Sequence, residues 1–264
     1  MHGPMTKRQA VGRASLAGCA AAAFAVVLAR RNPAAGAAVA GVAAAAAWGA
    51  FAPSSPLFGR PLRRGPRNRP RAALTFDDGP GRSTPEVLDA LSSEGVRATF
   101  FVLGRQAERH PDLVRRIAED GHEIGNHGYD HGILVFRGGA HVADQLSRTE
   151  AAVRRAAGES AMRPLFRAPH GYRGPATARA AAGMGYRVAS WTRGVFDSAE
   201  PGVEVIAERA SRALAPGAVI LLHDADGWAP ERSRAQTAAA IPAICRAARR
   251  RGIELVPLGE LVAP

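Results

Sequence analysis

Residues 72–264 predict an α/β fold in which parallel strands, covered by helices, close into a barrel. Two observations carry that expectation. Short β-branched or aromatic runs alternate with longer helical patterns, as in chains where helices link parallel strands. Every chemistry-bearing motif also falls at the C-terminal end of a predicted strand, the rim where a parallel barrel assembles its active site from separate loops. In chain order, the apolar run 72–76 predicts the first strand, which the Asp77-Asp78-Gly79-Pro80 turn ends. A helix is expected over 85–93, a strand over 98–103, a helix over 106–120 and a strand over 123–125. The alternation continues with helix 141–157, strand 164–167, helix 175–182 and strand 187–191. Helix 203–213, strand 218–222, helix 233–250 and strand 253–256 complete it.

The chain has 264 residues, 47% of them apolar, which is enough to bury a full core. Its net charge of +12 is unevenly spread. Residues 1–71 hold eleven basic and no acidic residues, whereas the rest has 24 basic against 23 acidic. Residues 72–264 are therefore nearly neutral, which argues against a nucleic-acid partner and for a membrane. Two Ala-rich apolar stretches, 15–29 and 34–52, flank Arg30-Arg31-Asn32-Pro33. The second approaches the roughly twenty residues that a bilayer requires, so one crossing or a helical hairpin is expected. Lys7, Arg8 and Arg13 could head a signal peptide, but more apolar sequence follows rather than a mature domain, which favours an uncleaved anchor. The expected organisation is an anchor at 1–53, a basic Pro/Gly linker at 54–71 and a catalytic domain at 72–264. A hairpin leaves the domain in the cytoplasm; one crossing from an inside N-terminus puts it outside. Cys19 and Cys245 form no intradomain disulfide, and no protein partner is evident.

Asp77-Asp78 and the later His127-Gly128-Tyr129-Asp130-His131 read together as a mononuclear metal site. Two imidazoles at i, i+4 and one carboxylate make three ligands, the number a hydrolytic zinc site uses when it leaves a position open. One carboxylate is then left over. Each motif alone is a common turn or surface feature; their joint occurrence with further motifs downstream is what signifies. Those motifs are Arg167-Ala168-Pro169-His170-Gly171, Trp191 through Asp197, and Leu221-Leu222-His223-Asp224.

In this order the five motifs resemble those of the polysaccharide deacetylases of carbohydrate esterase family 4, over residues 72 to 260. The resemblance implies a distorted (β/α) barrel and hydrolysis of the N-acetyl group of an amino sugar. It implies that Asp78, His127 and His131 hold a divalent metal, with zinc the default and cobalt, nickel or manganese suited to similar ligands. It makes Asp77 the general base, since successive strand side chains diverge unless the loop bends. Arg167 would orient Asp77. His223 would be the general acid, kept protonated by Asp197. A backbone N–H at His170 would help hold the oxyanion, and Leu221 would line the acetyl pocket. Trp191 is expected to pack. His110, His122, Glu123 and His141 are expected as surface or turn residues.

The chain departs from the family pattern at Gly128, where a Ser or Thr is usual, and at Ser198, where an aromatic is usual. Asn126 or Asp130 could steady the histidine loop instead. Three readings follow: a membrane-anchored deacetylase of an envelope glycan such as peptidoglycan or a chitin-like polymer; the same chemistry on a lipid-linked amino sugar at the cytoplasmic face; or a non-catalytic carbohydrate-binding protein. An aspartate-based phosphatase is a poor match, because the aspartates are adjacent and the domain has no lysine.

Overall fold

The computed structural model describes residue 30 and residues 32–263. The first apolar stretch, with Lys7, Arg8, Arg13 and Cys19, lies outside the described residues. The second stretch forms α1 (Pro33–Phe51). Asn32 caps it by accepting the Ala35 N–H at 3.1 Å, and Pro33 opens it where no N–H is needed. Its best 18-residue window has a mean hydropathy of 1.6 and is only 11% buried, so α1 is long and apolar enough to cross a bilayer.

The domain is built on β1 (Arg71–Asp77), β2 (Thr99–Val102), β3 (Glu123–Asn126), β4 (Met162–Phe166), β5 (Arg187–Val188), β6 (Arg193–Gly194), β7 (Val219–His223) and β8 (Glu254–Leu255). The order is β5-β4-β3-β2-β1-β7-β6, and β8 pairs with the start of β1. All these ladders are parallel. Among the described residues none joins β5 to β6, so the barrel is open there, a distorted half-barrel as expected. Covering it are α2 (Thr84–Ser93), α3 (Gly104–Arg109), α4 (Pro111–Glu119), α5 (Gly139–Ala157), α6 (Pro175–Gly183), α7 (Val203–Ala213), α8 (Ala235–Arg250) and α9 (Leu258–Leu261).

The period-2 alternation of β1 places the site. Leu74 and Phe76 join the helix-facing core with Val87, Leu91 and Ile241, whereas Ala73 packs inside the barrel with Phe101, Leu165 and Val219. Thr75 and Asp77 share the interior face of Ala73 by the same alternation.

Three expectations are corrected. The single helix at 106–120 is two helices, because Pro111 disfavours helical backbone at the residue before it, and His110 adopts φ −131°, ψ 57°. The two-residue β6 carries no periodicity and was not anticipated. His122 and Glu123 are buried rather than on the surface, since β3 is covered on both faces. His122 Nδ1 accepts the Ala98 N–H at 3.1 Å, and burial pushes its imidazole down to about 4, so it stays neutral. Glu123 Oε2 accepts from Thr99 Oγ1 at 3.0 Å and from the Gly259 N–H at 2.7 Å.

Pro53 and residues 54–65 of the segment that composition marks as a linker, 54–71, lie against the domain. Leu62 bridges to Ala189 and Arg64 to Ala218. The Arg173 N–H donates to the carbonyl of Ala50, in the last turn of α1, at 2.9 Å. The buried Arg173 guanidinium donates to the carbonyls of Ser55 at 2.6 Å and of Pro53 and Gly59 at 3.3 Å. Ser190 Oγ donates to the Pro53 carbonyl at 2.8 Å. Gly171, at φ 73°, allows this approach: a Cβ there would lie 2.8 Å from Pro53. Arg173→Ala is expected to destabilise the protein by about 2–3 kcal/mol, the loss of charged hydrogen bonds to buried carbonyls, and to open residues 53–60 to proteolysis. Thermal denaturation and limited digestion of the full chain check both.

Candidate metal and acid–base site

Arg167, one residue past β4, is fully buried and spans the barrel interior. Its Nη1 donates to Asp77 Oδ1 at 2.7 Å and to Thr75 Oγ1 at 2.8 Å, and its Nη2 to the Ser190 carbonyl at 3.0 Å. The Phe101 ring lies 4.1 Å from the guanidinium carbon. Burial lowers the guanidinium pKa and Asp77 opposes that shift, so the group remains charged. Asp77 thus has one oxygen held by Arg167, while the other, Oδ2, lies 3.9 Å from His127 Nε2.

Asp78 adopts φ 78°, a left-handed conformation that bends the strand end and brings its carboxylate to the same imidazole that Asp77 approaches. Its Oδ1 lies 3.3 Å from His127 Nε2 and 3.0 Å from His131 Nε2, is buried, and has no hydrogen-bond partner. Its Oδ2 accepts the Gly227 N–H at 3.1 Å. His127 Nδ1 bonds the Arg167 carbonyl at 2.8 Å. A carbonyl only accepts, so Nδ1 carries a proton, and Nε2, which faces the Asp78 oxygen, is the nitrogen whose lone pair is offered to a cation. Three donors around a tetrahedral zinc sit roughly 3.3 Å apart given bonds of about 2.0 Å, so the orphaned oxygen and the two imidazoles fit a divalent cation.

The His127–His131 turn is steadied by backbone bonds. Asn126 Oδ1 accepts the Gly128 N–H at 2.9 Å, and Gln145 Oε1 accepts the N–H groups of Tyr129 at 2.8 Å and Asp130 at 3.2 Å. Gly128 sits at φ 79°, which a Ser or Thr adopts only with strain.

At the end of β7, His223 Nδ1 lies 2.9 Å from Asp197 Oδ1. The other Asp197 oxygen accepts the His223 N–H at 2.8 Å and Thr237 Oγ1 at 2.9 Å. Burial would lower the His223 pKa, but Asp197, aided by the charges of Asp78 and Asp77, raises it to about 10. Burial would raise Asp197, but its bonds to His223 and Thr237 hold it below the usual carboxylate range.

A cavity of about 360 Å³ collects Asp77, Asp78, His127, His131, His170, Leu221 and His223 on one wall system. A donor set for a cation, a carboxylate fixed by an arginine and an imidazolium fixed by a carboxylate therefore share one chamber.

The polysaccharide deacetylase family model matches residues 64–189. A chitooligosaccharide deacetylase of Bradyrhizobium sp. (strain ANU 289) is 38% identical over 195 residues, covering 71% of this chain and 89% of that protein. The chain belongs to the polysaccharide deacetylase family. A peptidoglycan-N-acetylglucosamine deacetylase of Bacillus cereus is 34% identical over 200 residues, covering 75% of this chain and 90% of that protein. The crystal structure of a peptidoglycan N-acetylglucosamine deacetylase superposes with a TM-score of 0.70 at 32% identity, covering 76% of this chain and 91% of that one.

Of the nine residues singled out from sequence, seven line the cavity, while Arg167 and Asp197 are buried behind it. His170, at φ 60°, brings its ring to 4.5 Å from that of His131. Trp191 packs against the barrel-interior cluster and also lines the cavity. Sequence reasoning missed Trp228, Asp226 and Arg234 on the far wall, where the buried Arg234 Nη2 donates to Asp226 Oδ2 at 2.6 Å. Arg234 follows the last motif and had no spacing to flag it. Also missed was Gln145, which lies on α5, 16 residues beyond Tyr129 in the turn it holds, with no motif to mark it. Asp197→Asn should remove the main force raising His223, so the alkaline limb of the pH–rate profile moves down by at least about one pH unit, towards the ordinary imidazole range. Steady-state rates between pH 6 and 10 measure the shift, with the acidic limb unchanged.

Proposed function

We propose that this protein is a membrane-anchored, metal-dependent hydrolase that removes N-acetyl groups from amino sugars of an envelope glycan, peptidoglycan or chitin-like. The observation that carries the reading is the orphaned Asp78 oxygen between two imidazoles, beside an Arg167-fixed Asp77 and an Asp197-fixed His223. Asp78, His127 and His131 would hold the cation, zinc by preference for this donor set. A bound divalent cation supplies polarisation of the acetyl carbonyl and lowers the pKa of water. Asp77 Oδ2 takes the proton of the attacking water, and Arg167 keeps Asp77 ionised and pointed at it. The His170 N–H donates to the developing oxyanion. His223 gives its proton to the departing amine, which is a poor leaving group until protonated. Leu221 packs on the acetyl methyl.

Membrane anchoring rests on α1 and on Trp48 near its end, which is 55% exposed as an interfacial tryptophan is. A single crossing from an inside N-terminus would place the domain on the extracytoplasmic side, where wall glycan lies. The relatives named for peptidoglycan and chitooligosaccharide support that substrate class.

The test is acetate release by the full chain in detergent micelles, with an N-acetylglucosamine oligomer and with peptidoglycan. Activity is expected to vanish in chelator and to return with zinc or cobalt. Activity that persists undiminished after complete metal removal would contradict the reading, as would no release from any N-acetylated sugar.

A further inference from the structure

A second cavity of about 460 Å³ adjoins the first and shares Trp191, Ser198, Leu221 and His223 with it. If the protein is the deacetylase argued above, His223 must touch the nitrogen that joins the acetyl group to the sugar. That imidazole lies on the boundary between the two cavities. The acetyl group therefore occupies the first, and the sugar with its substituents extends into the second.

The walls of the second cavity have an unusual origin. Pro53, Ser54 and Arg63 come from the segment between α1 and β1 rather than from the barrel strands. Facing them is Arg193 of β6, and Thr192 Oγ1 donates to the Arg63 carbonyl at 2.7 Å, tying the two segments together. Both arginines are exposed, and among the described residues neither enters an ion pair or side-chain hydrogen bond. No carboxylate lines the cavity. The neighbourhood is positively charged: Arg64 is lowered by burial and further by Arg67 and Arg63. Phe196, 71% exposed and at φ 57°, offers a ring face on the same wall, a strained conformation for an aromatic residue.

Position adds the source of the ligand. Pro53 and Ser54 lie two and three residues beyond the end of α1, so this wall is within roughly 10 Å of the apolar helix along the chain. With α1 in a bilayer, that is headgroup level. The Arg173 clamp keeps the distance fixed.

We propose that the α1–β1 junction builds a second subsite for a phosphate on the substrate, so that amino sugars of the envelope glycan are also accepted while borne on a membrane lipid through phosphate. Arg63 and Arg193 receive the phosphate and Phe196 carries the sugar face.

The test is a binding measurement on the full chain in micelles, with Asp77→Asn to stop turnover, comparing N-acetylglucosamine 1-phosphate with N-acetylglucosamine by calorimetry. The phosphate is expected to bind about five- to tenfold more tightly at low salt, as two exposed charge pairs allow, with the advantage fading as salt rises. Adding Arg63→Gln and Arg193→Gln should abolish the advantage and leave the neutral sugar within about twofold, which also shows the fold intact. Equal affinities, no measurable binding of the phosphate, or an advantage that survives both substitutions would overturn the subsite. An equal gain for N-acetylmuramic acid, whose anion is a carboxylate, would overturn the assignment to phosphate. Because the readout is binding, absence of acetate release with the phosphate preference intact condemns only the deacetylase reading, and the converse result condemns only the subsite.

Discussion

The buried pair of Arg167 and Asp77 is the constraint on which the site depends. Placing a guanidinium in a barrel interior is unfavourable unless its donors are matched, and here two of its nitrogens reach Asp77, Thr75 and the Ser190 carbonyl, with Phe101 against the plane. Such a pair adds little net stability, yet removing one partner leaves a buried charge and costs about 3–5 kcal/mol. The contacts join the ends of β1 and β4 to the loop after β5. They also commit one Asp77 oxygen to Arg167, leaving the other for chemistry.

The adjacent Asp78 can then do different work because the backbone bends. Positive φ at Asp78, His131 and His170 turns three loops inward at the C-terminal rim, a cluster of uncommon conformations at one place. Adjacent aspartates would otherwise point to opposite faces of β1. The bend sends the Asp78 carboxylate to the imidazoles, and the Arg167 carbonyl fixes the His127 tautomer. One residue therefore orients Asp77 through its side chain and His127 through its backbone carbonyl.

Much of this was legible in the sequence because it is local. The strand ends, the His127/His131 spacing and the motif order give the rim, and the period-2 pattern of β1 gives the interior face. What was not legible depends on contacts made outside the motifs or on elements too short to carry a period. Gln145 holds the histidine turn from α5, Arg234 closes the far wall from the start of α8, and β6 is two residues long. The burial of His122 and Glu123 follows from coverage of both faces of β3, which polar side chains conceal. The break before Pro111 was readable from the proline itself. Segment 54–71 looked like a linker by composition, and the attachment of its first residues comes from Arg173, far downstream.

Division of labour between Asp77 and Asp78 is the central claim, and paired measurement of metal content and acetate release in Asp77→Asn and Asp78→Asn tests it most directly. The account predicts that Asp77→Asn keeps its metal while losing activity by about a hundredfold or more, whereas Asp78→Asn loses the metal itself. Loss of metal from Asp77→Asn with retention by Asp78→Asn, or an active Asp77→Asn, would contradict it.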